Sequence, residues 1–153
     1  MKQLIANSLN RSTNILIVDD DIEQLAEMVS WLEHRKGKLY QARSSEQAQK
    51  ILSSQWIDAV ITDWQLPKMS GLALIRYLRE ENFKGPLLLC TGMMLSPQHL
   101  QEAFDAGAND YLRKPMNKVE LNARFTSALQ LYQQREALIK IVSLQVCHSR
   151  VQA

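Results

Sequence analysis

Four short polar stretches in this chain could do chemistry together. Residues 15 to 21 read Ile-Leu-Ile-Val-Asp-Asp-Asp, an apolar run that ends in three consecutive carboxylates. Asp63 closes a second apolar run, Thr91 with Gly92 closes a third, and Lys114 with Pro115 follows a fourth. Several carboxylates in one cleft repel one another and raise each other's pKa unless a cation is present. A hard divalent ion such as Mg²⁺ resolves that conflict through oxygen ligands, and Mn²⁺ suits the same oxygens. One carboxylate can then attack phosphorus and form an acyl phosphate. A lysine and the metal neutralise charge on the equatorial oxygens, and a hydroxyl can hydrogen-bond the transferred group. The inventory is that of phosphoryl transfer.

For this chemistry to occur, these residues must converge. The runs 15–18, 38–42, 57–62, 86–90 and 110–112 are predicted as strands. The first, third and fourth are almost continuously apolar, as strands buried on both faces of a parallel sheet are. Amphipathic segments 22–36, 45–54, 71–81, 97–106 and 118 onward separate them. Leu25, Met28, Val29 and Leu32 share one helical face, as do Leu74, Ile75 and Leu78. Asp21 is placed to cap the first helix. Ser44 with Gln47, and Asn117 with Glu120, have capping-box spacing, and Ser96 precedes Pro97 at another helix start. The order is β-α repeated five times. Right-handed crossovers then place helices on both faces of a parallel sheet. In such sheets the functional crevice lies beyond the C-terminal strand ends, where Asp19, Asp20, Asp63, Thr91 and Lys114 all fall.

With these motifs in place, the chain resembles the receiver domain of two-component response regulators over about residues 14 to 130. The likeness rests on I-L-I-V-D-D-D at 15–21, D-A-V-I-T-D-W-Q-L-P-K-M-S-G at 58–71, L-L-L-C-T-G at 87–92 and A-G-A-N-D-Y-L-R-K-P at 106–115. The second stretch is particularly close to the single-domain chemotaxis regulator. The resemblance implies a flavodoxin-like sheet of order 2-1-3-4-5 flanked by five helices. It also implies Asp63 as phosphoacceptor and Asp19, Asp20, Asp63 and the backbone carbonyl of Gln65 as Mg²⁺ ligands. Asp20 would be the more direct ligand, and Asp19 would act partly through water. Thr91 and Tyr111 would be the switch pair, and Lys114, joined to Pro115 by a cis bond, the partner of the phosphoryl group. The implied donor is a sensor histidine kinase or a phosphotransfer protein, and the protein would be a switch rather than an enzyme. Trp64, beside Asp63, reads as rim packing that is still placed to report on the site. Gly92 stands where the family most often has Ala, and Met93 and Gln65 occupy variable positions.

Two other readings fit parts of the pattern. Asp19-x-Asp21 superficially matches the nucleophile motif of haloacid-dehalogenase-type phosphatases, but Glu23 stands where those expect Thr or Val, and 58–71 is left unexplained. A pseudo-receiver that never takes phosphate would be a plain interaction module. His34, His99 and His148 share no motif and read as surface residues.

The chain has 153 residues and a formal net charge of +2. Residues 1–112 carry eleven basic and fourteen acidic side chains, and residues 113–153 seven basic and two acidic. Nothing in this points to nucleic acid or membrane, and no run approaches the ~18 apolar residues of a bilayer span. With two unmotivated cysteines and no secretory leader pattern, a cytoplasmic location is expected. The expected organisation is an N-terminal extension at 1–13, a receiver at 14–130 and a helical extension or linker at 131–153. Towards that last segment Leu121, Phe125, Ala128, Tyr132, Arg135, Ile139, Val142 and Val146 recur at alternating three- and four-residue spacings. They would serve a helix packed on its own domain, a dimerising helix, or a linker to an output domain not contained in these residues. Dimerisation through the face of the fourth helix, fifth strand and fifth helix is the other expectation.

Overall fold

The computed structural model describes residues 12–151, so the N-terminal extension expected at 1–13 lies outside the described residues apart from Ser12 and Thr13. Five parallel strands form one sheet: β1 (Ile15–Val18), β2 (Leu39–Ala42), β3 (Ala59–Asp63), β4 (Leu87–Thr91) and β5 (Asp110–Arg113). Their spatial order is β2-β1-β3-β4-β5. The helices are α1 (Ile22–Leu32), α2 (Ser45–Ser54), α3 (Gly71–Glu80), α4 (Pro97–Asp105) and α5 (Lys118–Val151).

Period-two alternation divides the buried strand residues between two cores. Leu16, Val18, Val60, Leu87 and Leu89 meet Ala48 of α2, Leu74, Ile75 and Leu78 of α3, and Ala103 of α4. Ile15, Ile17, Ile61, Leu88 and Cys90 meet Leu25, Met28 and Leu32 of α1 and Leu121 and Phe125 of α5. The three central strands are buried along their whole length, which explains their unbroken apolar runs.

Several boundaries differ from the sequence expectation. β3 and β4 each extend one residue further, because Asp63 pairs with Cys90 and Thr91 with Arg113 in the ladder. The starts of the strands move inward. Lys38 donates its N–H to the Asn14 side chain, and the sheet begins at Leu39. Pro86, with no N–H of its own, precedes β4 and only accepts from Val60. α1 ends at Leu32, where its buried face ends, rather than at 36. The turn that follows needs Gly37, whose φ is +122° and whose missing Cβ leaves room for the Thr13 backbone.

The capping residues behave largely as their types dictate. The Asp21 carboxylate accepts from the N–H groups of Glu23 and Gln24. Ser44 caps α2, but the Gln47 side chain accepts from the Arg43 N–H, one residue short of a closed box. Asn117 caps α5, while Glu120 turns to Arg124. The closed box is at α4: Ser96 accepts from the His99 N–H and His99 Nδ1 accepts from the Ser96 N–H. The two cysteines are free. Cys90 is buried and Cys147 exposed. Burial pushes the Cys90 thiol up to about 12.

Candidate phosphoryl-transfer site

The C-terminal strand ends open into a cavity of about 610 Å³. Asp19, Asp20, Asp63, Gln65 and Lys114 all line it, as the sequence places them. Thr91 and Tyr111 do not. Thr91 is fully buried at the end of β4, and the residue after it, Gly92, forms the wall. Tyr111 is half-buried on the far side of β5, edge-on to Phe104 of α4 at 6.4 Å.

The three carboxylates form a compact set. One oxygen from each of Asp19, Asp20 and Asp63 lies within 4.8 Å of the others. The Lys114 ammonium sits among them, 2.7 Å from Asp19 Oδ2 and 3.2 Å from Asp63 Oδ1. Asp19 is wholly buried, and its other oxygen accepts from the Asp21 N–H at 3.0 Å. Asp20 is exposed and presents its carboxylate to the cavity. Burial raises the Asp63 pKa; Lys114 opposes this, and the Asp19 and Asp20 charges add to it. For Lys114, burial alone would lower the pKa, but the hydrogen bond to Asp19 and the Asp63 charge hold it above its ordinary value.

Backbone contacts fix this geometry. The Trp64 N–H continues the ladder to Cys90 O at 2.7 Å, and the Gly71 N–H returns to Trp64 O at 2.9 Å. A Cβ on Gly71 would lie 1.8 Å from the Asp63 carbonyl oxygen, so only glycine lets α3 start this close to the phosphoacceptor candidate. Buried Ser45 ties the intervening loop to α2 by donating to Met69 O. Lys114 is anchored by its own N–H to Thr91 O at 2.7 Å, and the Lys114–Pro115 bond is cis, as expected. At Gly92 an added Cβ would meet nothing within 4 Å, so there is open space beside the carboxylates.

Trp64 takes a rim-packing place, and His99 departs from the surface reading. Trp64 is 8% exposed and lies under the rim, not on the cavity wall, edge-on to His99 at 6.0 Å. His99 is therefore a capping and packing residue, not a free surface histidine. Its place at N3 after Ser96 is the available signal, hidden because Glu or Gln is the usual partner there. Arg35 carries no such signal. It donates to the Asn122 and Thr126 side chains and lies 4.8 Å above the Phe125 ring, tying the end of α1 to α5.

A three-carboxylate pocket with a half-buried lysine at the C-terminal edge of a 2-1-3-4-5 sheet leaves a narrow choice of families. The family model of the response regulator receiver domain matches residues 15–126. The chain belongs to the response regulator receiver family. Among curated relatives, it is 36% identical to response regulator RppA of Synechocystis sp. over 112 residues, covering 72% of this chain and 47% of that one. It is 28% identical to the regulatory protein VirG of Agrobacterium fabrum over 118 residues, 77% of this chain and 46% of that one. The chain thus spans about half the length of the curated relatives it matches. Among solved structures, the signal receiver domain of an HD domain-containing protein from Pseudomonas fluorescens superposes with a TM-score of 0.75 at 28% identity, covering 81% of this chain and 99% of that one. Chemotaxis protein CheY4 of Vibrio cholerae gives 0.72 at 25%, covering 78% and 100%. Receiver domains of this kind interact with histidine kinases or phosphotransfer proteins. No described helix is long and apolar enough to cross a membrane.

Proposed function

We propose that this receiver domain takes a phosphoryl group from a phosphohistidine onto Asp63 and works as a phosphorylation-controlled switch. The observation that carries this reading is the Asp19–Asp20–Asp63 triad with Lys114 between two of its members. A divalent cation fits the donor set: three carboxylates, with the Gln65 carbonyl as a further oxygen ligand. Mg²⁺ is the proposed ion, with Mn²⁺ a substitute, and when bound it supplies positive charge to the oxygens of the transferring group. Asp20, exposed at the cavity, is the proposed direct ligand. Asp19, held by Lys114 and the Asp21 N–H, orients the site and acts partly through water.

Asp63 attacks phosphorus through one carboxylate oxygen, and the bond to the donor nitrogen breaks. Lys114 then shifts its hydrogen bond from Asp63 to a phosphoryl oxygen. Thr91 accepts from the Met93 N–H at 3.0 Å, so its hydroxyl hydrogen is free to donate to the phosphoryl group. Drawing Thr91 toward Asp63 opens space behind it for Tyr111. The face of α4, β5 and α5 would change and so control a dimer or an output partner. The protein is a switch that assists its own phosphorylation and hydrolysis, not an enzyme turning over a separate substrate, and its proposed location is the cytoplasm.

Mass spectrometry after incubation with a small phosphodonor and Mg²⁺ tests the proposal. The expected result is one phosphoryl adduct, absent without the metal, absent in Asp63→Ala and in Asp20→Ala, and retained in Asp21→Ala. An unmodified wild-type chain would instead support a pseudo-receiver. Steady turnover of a phosphate monoester that survives Asp63→Asn but not Asp19→Asn would support the phosphatase reading.

A further inference from the structure

α5 runs unbroken for 34 residues, about 51 Å. Its first three turns are an ordinary domain helix, with Leu121 and Phe125 buried against the sheet. From residue 130 to residue 148 no α5 side chain is fully buried. Here the helix passes the edge where the strands begin, and a groove of about 460 Å³ lies between it and that edge. One wall of the groove is α5, with Leu129, Ala137, Ile141 and Leu144 along one helical face. The other wall is Ser12, Thr13, Trp56 and Asp58, the residues that lead into β1 and β3. Trp56 is 74% exposed, yet it is held in place: its indole N–H donates to Asp58, and its carbonyl accepts from the Asn14 side chain. With the polar edge of the ring satisfied, the rest is apolar surface. Leu144, on the opposite wall, is 63% exposed. A fixed indole and an aliphatic stripe along one groove form a surface suited to being covered.

The chain itself supplies a cover. Eleven residues precede Ser12, and they join the fold at the groove. That junction is pinned: the Thr13 N–H donates to Lys36 O and the Asn14 N–H to Asp58 Oδ2, both at 2.8 Å. In M-K-Q-L-I-A-N-S-L-N-R, Met1, Leu4, Ile5 and Leu9 recur at the three- and four-residue spacings of one helical face. The groove extends about 22 Å along α5 from Leu129 to Leu144, and eleven residues reach about 16 Å as a helix or about 36 Å extended. Length therefore suffices. Charge fits as well. The segment carries Lys2 and Arg11 and no acidic residue, whereas the groove has Asp58 and Glu136 against Lys140. Glu136 is half-buried and has no ion-pair partner among the described residues. A segment tethered at the groove meets it at an effective concentration on the order of millimolar, well above that of a free partner or a second copy in dilute solution.

We propose that residues 1–11 fold back along α5 into this groove, set Leu4, Ile5 and Leu9 against Trp56, Ile141 and Leu144, and brace the outer half of α5 to the receiver. The brace stands apart from the chemistry at Asp63 and does not depend on it.

Hydrogen exchange of the full chain, read by mass spectrometry, tests this. Amides of residues 3–10, and of α5 from Ala137 to Leu144, are expected to be protected in wild type and equally in Asp63→Ala. Leu4→Asp combined with Ile5→Asp, and separately Ile141→Asp, are each expected to speed exchange about tenfold in both stretches while the sheet stays unchanged. A free peptide of residues 1–11, added at about millimolar concentration to the Leu4→Asp, Ile5→Asp variant, is expected to restore protection of α5. Exchange of residues 3–10 at free-chain rates in wild type would overturn the proposal. So would a peptide without effect, or α5 protection that survives Leu4→Asp with Ile5→Asp, which means another occupant. Protection that grows with protein concentration would overturn it too, since that means a second copy.

Discussion

Two aspartates bracket β3, and they are held in opposite ways. Asp58, just before the strand, has a donor for each oxygen: the Asn14 N–H at 2.8 Å and the Trp56 indole N–H at 3.0 Å. Asp63, at the other end, receives no backbone donor to its carboxylate from the described residues. It has one lysine at 3.2 Å and two further carboxylates for neighbours. A carboxylate that only has to hold a structure is given hydrogen bonds. One that has to react is given a cation and like charges, and stays costly to ionise. The two residues share a type and sit at the two ends of one strand, so this difference marks function better than residue type does.

The largest expected contrast is between Asp63→Asn and Asp58→Ala under phosphodonor. The first should lose the adduct completely and the second should keep it. Their stabilities should move in opposite directions. The folded-state pKa of Asp63 is raised, mainly by burial, so its proton favours the folded state. That contribution is present below the ordinary aspartate value near ~4 and is lost as pH rises through the raised folded value. At neutral pH ionised Asp63 therefore costs stability, and Asp63→Asn should raise Tm, with a shallower loss of stability above pH ~4. A lower Tm at pH 7 would break the contrast.

Gly71→Ala should cost about 3 kcal/mol, because its Cβ meets the Asp63 carbonyl. Chemical denaturation measures the loss, and residual folded protein should phosphorylate slowly. Asp58→Ala should cost about 2 kcal/mol by leaving the Asn14 N–H and Trp56 indole without their partner. Asp21→Ala should lower Tm only slightly, since its work is to cap α1 at an exposed position. Gly92→Ala should change stability by less than about 0.5 kcal/mol, since nothing lies within 4 Å of the new Cβ. Any change in adduct lifetime there would then report on the open space beside Asp63 alone.

The sheet is legible in the sequence where burial is two-sided. Ile15–Val18, Ile61 and Leu87–Leu89 could hardly be anything else. Strand ends are misjudged because Asp63 and Thr91 are polar yet remain in the ladder, where polarity alone signals an exit. The acidic triad and Lys114 are legible because topology forces C-terminal strand ends together. The buried position of Thr91, and the turn of Trp64 away from the cavity toward His99, are not. They depend on which way a side chain points at a strand end, and no local pattern encodes that. Arg35 bridges to residues 87 and 91 positions away, and Arg79 gathers the carbonyls of Phe83, Gly85 and Gly107. Both serve as interior props, yet in the sequence they look like any surface arginine.

The contrast between the two cysteines makes the native chain ready for spectroscopy. Cys90 is sealed in the core with its thiol pushed up to about 12, so maleimide and methanethiosulfonate reagents have one open target, Cys147. That target rides near the tip of α5, about 44 Å along the helix from Lys118. A stiff rod of that length works as a pointer: a tilt of a few degrees at its base sweeps the tip through several ångströms. A label on Cys147, measured against a second probe placed on the receiver, would therefore magnify small rearrangements around the strand ends into distances that pulsed resonance or energy transfer can resolve.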